Sequence, residues 1–274
     1  MTSRVTTLTR REVCRDRTRA TVWEVRLERP AKANALSAEV VEELHRVLDA
    51  VEQQRPDVLV LRGNARHFAA GLDLGDLEHG TDASLAHRLL RIGLLLERLL
   101  GLPVLTVALV EGTAVGAGAD LALACDHRIG TLAASFRFPG ARFGAVLGTA
   151  RLATVSAAHV ALDAGRRRDA RTALADGLLT RLVEAEPQGR RGHVPESDPE
   201  AALDAALDEV LEGWARTAPT ARPALLEQSR GNDADAALAA LARSVAQPGL
   251  RDRVAAFAAS SAPRASARAD PVPA

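Results

Sequence analysis

Apolar and polar positions change period several times along this chain, and each change marks an element. From Thr21 to Glu28 they alternate. Thr21, Trp23, Val25 and Leu27 share one face, and Val22, Glu24, Arg26 and Glu28 share the other. That is the pattern of a half-buried strand, and Pro30 ends it. Ser37 then stands where a helix cap is needed, and Val40, Leu44, Val47, Leu48 and Val51 follow at helical spacing. The unbroken apolar runs from Asp57 to Gly63 and from Pro103 to Val110 read as strands buried on both faces. Between them, Leu85, Leu89, Ile92, Leu96 and Leu99 form the stripe of a long helix.

Further on, HRIGT and ASFRF read as two short strands, the second ended by Pro139. Short helices are expected from about Gly148, with Gly165 and Gly177 as stops, and the segment Leu178 to Ala185 as a last strand. Beyond the turn-rich stretch Glu186 to Asp198 the pattern is helical: Pro199 to Trp214, Pro219 to Arg230, Asp233 to Ala246 and Gly249 to Ala259. Alternating strands and helices followed by helices alone imply an α/β core with a helical appendage. The expected organisation is a leader at 1–18, either solvated or a frayed first strand, a core at 19–198, a helical region at 199–260 and a disordered tail at 261–274.

Composition narrows the function classes. Formal net charge is zero, which argues against nucleic-acid or anionic-membrane partners through bulk electrostatics. Cys14 and Cys125 fit neither a metal pattern nor a disulfide framework, so a reducing cytoplasm is the expected compartment and no metal is expected. No apolar run approaches the roughly 20 residues of a membrane span. Lys32 is the only lysine among 35 basic residues. With the high alanine content, this points to the nucleotide bias of the source genome.

Two small-residue segments carry the candidate chemistry. HFAAGLDL (His67 to Leu74) and EGTAVGAGADLALACD (Glu111 to Asp126) each follow a buried-strand pattern. Small residues there let backbone approach something closely. A helix starting near Gly116 would leave free N–H groups at its first turn. Paired backbone N–H groups stabilise an enolate or tetrahedral oxyanion, and close packing alone produces the same pattern. The glycine spacing of AVGAGAD is not that of a dinucleotide site.

These residues resemble the crotonase (enoyl-CoA hydratase/isomerase) superfamily from about Val22 to Arg264. LERPAKANALS resembles its CoA loop. VLVLRGNARHFAAGLDL and PVLTVALVEGTAVGAGADLALACDHRIG resemble its two oxyanion-hole segments. ASFRFPGARFGAVLGTARLA, RRRDARTALADGLLTRLVE and VAAFAASSAPR follow in the family's order.

The resemblance implies a spiral of ββα turns with a C-terminal helical region, and a homotrimer or a hexamer. It implies an acyl-CoA substrate, with coenzyme A arriving as part of that substrate and no separate cofactor. Its thioester oxygen would sit between the N–H groups of Ala70 and Ala117, in a pocket that also takes in Gly71, Leu72, Asp73 and Gly116. Lys32, Ala33 and Ala35 would meet the adenine and phosphates of CoA.

The family's hydratases use two glutamates. Here Asp120 and Gly140 occupy those positions. Asp120 is one methylene short, about 1.5 Å. Gly140 has no side chain, which sets a two-acid hydratase against a one-acid isomerase or dehydratase, for instance in a secondary-metabolite pathway. Asp120 equally suits a helix start. Arg137 and Arg142 flank the Gly140 turn and could meet a carboxylate-bearing acyl group, or be solvated. Two alternatives remain. One is a catalytically weak partner subunit. The other is a thioester decarboxylase or hydrolase using His67 or Arg142. The loop Glu78 to Ser84 and the C-terminal helices are the expected walls of the acyl pocket.

Overall fold

The computed structural model describes residues 6–15, 18–75, 77, 79–145, 147, 152, 160, 163, 165–184, 198–230 and 234–261. All of the expected tail at 261–274 except Ser261, which ends the last helix, most of the turn-rich stretch 186–198 and most of the helices sought from Gly148 lie outside them.

Strands β1 (Thr6–Arg15), β2 (Thr18–Leu27), β3 (Val58–Arg62), β5 (Leu105–Val110), β7 (His127–Thr131) and β10 (Arg181–Val183) form one six-stranded sheet, adjacent in that order. A second sheet holds β4 (His67–Ala69), β6 (Thr113–Val115), β8 (Ser135–Arg137) and β9 (Arg168–Asp169). The pairs β1/β2 and β8/β9 are antiparallel and the others parallel. Each turn of the chain therefore lays one strand in the first sheet and the next in the second. It then returns through a helix: α2 (Asp82–Leu100) or α3 (Ala117–Leu123). This is the stacked ββα spiral.

Local signals account for the helices. Ser37 Oγ accepts the Val40 N–H at 3.3 Å and starts α1 (Ala38–Gln54). Thr81 and Ser84 exchange side-chain bonds in a capping box at the head of α2. After α4 (Ala170–Ala175), Gly177 takes φ 73° and its N–H reaches Leu174 O.

Two expectations change. Residues 6–15, inside the expected leader, pair with β2 along its full length and belong to the sheet. The β2 strand buries Trp23, Val25 and Leu27 on one face; on the other, α5 (Pro199–Arg216) covers Val22, while Glu24 and Arg26 stay partly exposed and Glu28 exposed. Leu203, Leu207 and Leu211 of α5 pack on Val22, Val58, Val60 and Val107, with Leu226 of α6 (Arg222–Arg230) beside them. Leu59, Leu61 and Ala108 face the opposite side, with α1 and α2. Each such buried leucine contributes roughly 1.5–3 kcal/mol, so α5 is part of the core rather than an appendage. Helices α7 (Ala234–Val245) and α8 (Leu250–Ser261) pack on α2 through Leu241, Val245, Leu250 and Val254 against Leu85 and Leu89. No helix among the described residues is long and apolar enough to cross a membrane.

Candidate active site

The two small-residue segments meet because β4 and β6 are neighbours. The bend after β4 needs Gly71, at φ 81°. A Cβ there would lie 2.5 Å from the Val115 carbonyl and 3.2 Å from the Ala117 nitrogen. The bend after β6 needs Gly116, at φ 52°, whose N–H is donated to Arg137 O at 2.8 Å. Gly118 lets the start of α3 press on β4, since a Cβ there would stand 2.2 Å from the Ala69 carbonyl.

Ala70 does not supply a free N–H. Its N–H is donated to Ala33 O at 3.0 Å. Ala33 and Asn34 hold left-handed φ values of 49° and 54° without being glycine. Buried Asn34 secures them by accepting the Arg29 N–H at 2.9 Å and donating to His67 O at 3.0 Å. Two residues on, Leu36 uses its N–H on Gly71 O and its carbonyl on Asp73 N. Leu72, between those two, turns its own N–H the other way, with no acceptor among the described residues. Ala117, first residue of α3, likewise keeps its N–H outside the helix ladder. The sequence alone signalled Leu72 only as a neighbour of the bend. The β-bridge to Leu36 is what selects it.

A cavity of about 280 Å³ opens at this point. Ala70, Leu72, Ala117, Asp120 and Gly140 line it, with Leu74, Leu89, Phe138 and Phe143 as apolar wall. Val254 and Phe257 of α8 cover it, as expected of the C-terminal helices. The described residues of the 78–84 loop do not reach it, because Thr81 to Ser84 are committed to the α2 cap. Lys32 is exposed at the end of the turn Pro30–Lys32. Ala35 is buried with its carbonyl on Arg29 at 2.6 Å. Neither they nor Ala33 line the cavity.

Asp73 points away into structure. Its carboxylate takes Arg29 at 3.0 Å and the Gly75 N–H at 2.9 Å. Burial opposes its charge, but the Gly75 bond and Arg29 outweigh it and hold Asp73 below the ordinary carboxylate range. His67 bonds Thr113 Oγ1 at 2.9 Å outside the cavity lining, which removes it as the polar group of a hydrolase or decarboxylase.

Asp120 behaves differently. It is 4% exposed, on α3, and its Oδ1 has no hydrogen-bond partner among the described residues. Burial alone pushes its carboxyl well above the ordinary range. Burial thus favours the protonated form of this carboxyl, on the wall of a mainly apolar cavity. Gly140 leaves no room for a second acid, because a Cβ there would stand 2.9 Å from Ala145 O.

Comparison with known proteins agrees with this geometry. Residues 17–245 match the family model for enoyl-CoA hydratase/isomerase. The chain is 32% identical over 137 residues to enoyl-CoA isomerase/hydratase fer4 of Mycosarcoma maydis, an alignment covering 46% of this chain and half of that protein. It is 30% identical over 208 residues to enoyl-CoA hydratase domain-containing protein 2, mitochondrial, of Bos taurus, covering 69% of each. An enoyl-CoA hydratase/isomerase structure from Bordetella parapertussis superposes with a TM-score of 0.78 at 37% identity, over 92% of this chain and 99% of that one. The paired sheets, the two glycine bends and a match over most of the length lead to one conclusion: the chain belongs to the enoyl-CoA hydratase/isomerase family, of the crotonase superfamily.

Proposed function

We propose that this protein is an acyl-CoA enzyme that stabilises a thioester enolate between the N–H groups of Leu72 and Ala117. Asp120 serves as its single working acid. The orphaned carboxyl of Asp120 carries this reading. A buried polar atom without a partner costs stability, and its place in the cavity wall gives that cost a use.

The thioester α-proton becomes removable when two N–H donors share the developing negative charge. The ionised fraction of one carboxyl group can then take a proton from one carbon and, now protonated, return it to another, which is isomerisation. The protonated carboxyl can also protonate a leaving hydroxyl, which is dehydration. Holding and activating water with two acids is not available while Gly140 stands opposite. A dehydration or isomerisation in a secondary-metabolite pathway fits a site that asks the substrate to do part of the work. Coenzyme A is carried in by the substrate, with Lys32 and the turn at Ala33 and Ala35 nearest to its phosphates. Assembly as a trimer or a hexamer belongs to the same reading. Light scattering at a threefold or sixfold mass would support it, and a monomer would sink it.

The deciding assay follows turnover of crotonyl-CoA, 3-hydroxybutyryl-CoA and a 3-enoyl-CoA, with butyryl-CoA binding measured by calorimetry. Asp120→Asn should cut turnover on the order of 10²- to 10⁴-fold with butyryl-CoA binding little changed. Leu72→Pro, which deletes one N–H, should cost turnover far more than binding, on the order of 10²-fold or more. Binding without turnover in the wild type would instead favour a partner subunit that only holds acyl-CoA.

A further inference from the structure

Among the described residues lining the cavity, Asp120 and Arg137 are the two ionisable side chains. Burial pushes the Asp120 carboxyl up, towards its uncharged form, and no neighbouring charge contributes to that. Arg137 is therefore the fixed charge of this lining, and it stands clear of Asp120. Strands β6 and β8 run parallel with Val115 opposite Arg137. Residues paired in this way send their side chains to the same face of a sheet, and Val115 lines the cavity too. Arg137 Nε donates to the Gly165 carbonyl at 3.0 Å, which orients the guanidinium plane. Its terminal nitrogens have no acceptor among the described residues. Arg142, on the other side of the Gly140 turn, is exposed and lies over the Phe257 ring at 5.1 Å. The structure thus separates two arginines that look equivalent in sequence.

A half-buried guanidinium on a lining that is otherwise mostly apolar has fewer water partners than one on the open surface. Such a group favours an anionic partner strongly, and its planar fork matches a carboxylate. We infer that Arg137 is a specificity residue for a carboxylate at the far end of the acyl chain, so that the preferred substrates are CoA thioesters of dicarboxylic acids. The inference rests on the acyl-CoA reading above and names its substrate class.

The test uses two unreactive thioesters, butyryl-CoA and glutaryl-CoA, in calorimetry with the full chain. Wild type should bind glutaryl-CoA about tenfold or more tightly than butyryl-CoA, the size expected of one charge-assisted contact. Arg137→Met should erase that preference and leave butyryl-CoA binding within about threefold. Arg137→Lys should keep part of it, and Arg142→Met all of it. Equal affinities in the wild type, or a preference that survives Arg137→Met, would overturn the assignment and leave the acyl-CoA reading standing. If neither thioester bound the wild type, both would fall.

Discussion

Two aspartates, buried Asp120 within α3 and the mostly buried Asp126 just beyond it, meet opposite fates. Asp126 is wrapped: Arg230 reaches it through Nε at 2.7 Å and Nη2 at 2.6 Å, and Thr106 donates both its N–H and its hydroxyl. Burial works against its charge, but the Arg230 bond and charge, then Thr106, outweigh burial and hold its carboxyl below the ordinary range. Asp120 has burial without compensation and moves the other way. One carboxyl ties α6 to the sheet; the other is left available. A buried acid with all its bonds made is architecture, and one left bare in a cavity wall is a candidate for chemistry.

The comparison can be broken most forcefully at Arg230. This arginine also caps the carbonyls of Leu100, Leu102 and Val104. Arg230→Met should cost about 3–5 kcal/mol in urea unfolding at neutral pH, since Asp126 would be left charged and unpaired. That deficit should shrink on acidification, because an unpaired Asp126 can then take up a proton. A loss under about 1 kcal/mol would mean the pair is ornamental.

A second carboxyl beside Asp120 would sharpen the contrast. Gly140→Glu should destabilise by about 1–3 kcal/mol through the clash with the Ala145 carbonyl. It should not raise the hydration rate of crotonyl-CoA. Hydration at a hydratase-like rate in that variant would show that only the missing side chain, and not the backbone around it, had silenced this reaction.

The smallest effect tests Asp120 itself. Its folded value is raised, so the native state keeps a proton that the unfolded chain releases above about pH 4. Its contribution to stability therefore falls as pH rises from there towards its folded value. Asp120→Asn should remove that slope, gaining on the order of 1 kcal/mol over wild type between about pH 5 and 7. The opposite holds for Asp126, whose contribution is present above the unfolded value and lost as pH falls through its lower folded one. If Asp120→Asn and wild type had parallel pH–stability curves, the carboxyl would not be buried as a neutral acid.

Much of the frame is visible in the residue pattern because it depends on near neighbours. The stripe of α2, the cap at Ser37 and the stop at Gly177 each follow from residues within a turn or two. The alternation at Thr21 to Glu28 marks a strand with one buried face, and Val22 is the exception on the other. What covers Val22 comes from Leu203 and Leu207, far along the chain. The first small-residue segment shows the same limit. Its place at the site was legible, but which N–H is free was not. The turn at Ala33 takes the N–H of Ala70, and the bridge to Leu36 frees that of Leu72.

The sequence by itself determined the alternation of strand and helix, the two glycine bends, and the absence of a side chain at Gly140. These follow from backbone preference and the presence or absence of a side chain. Only the tertiary structure decided that Asp120 Oδ1 lacks a partner among the described residues while Asp126 has several, and that Arg137 lines the cavity while Arg142 is exposed. Hydrogen bonding and desolvation depend on which distant groups arrive beside a residue, and that is set by the packing of one spiral turn on the next.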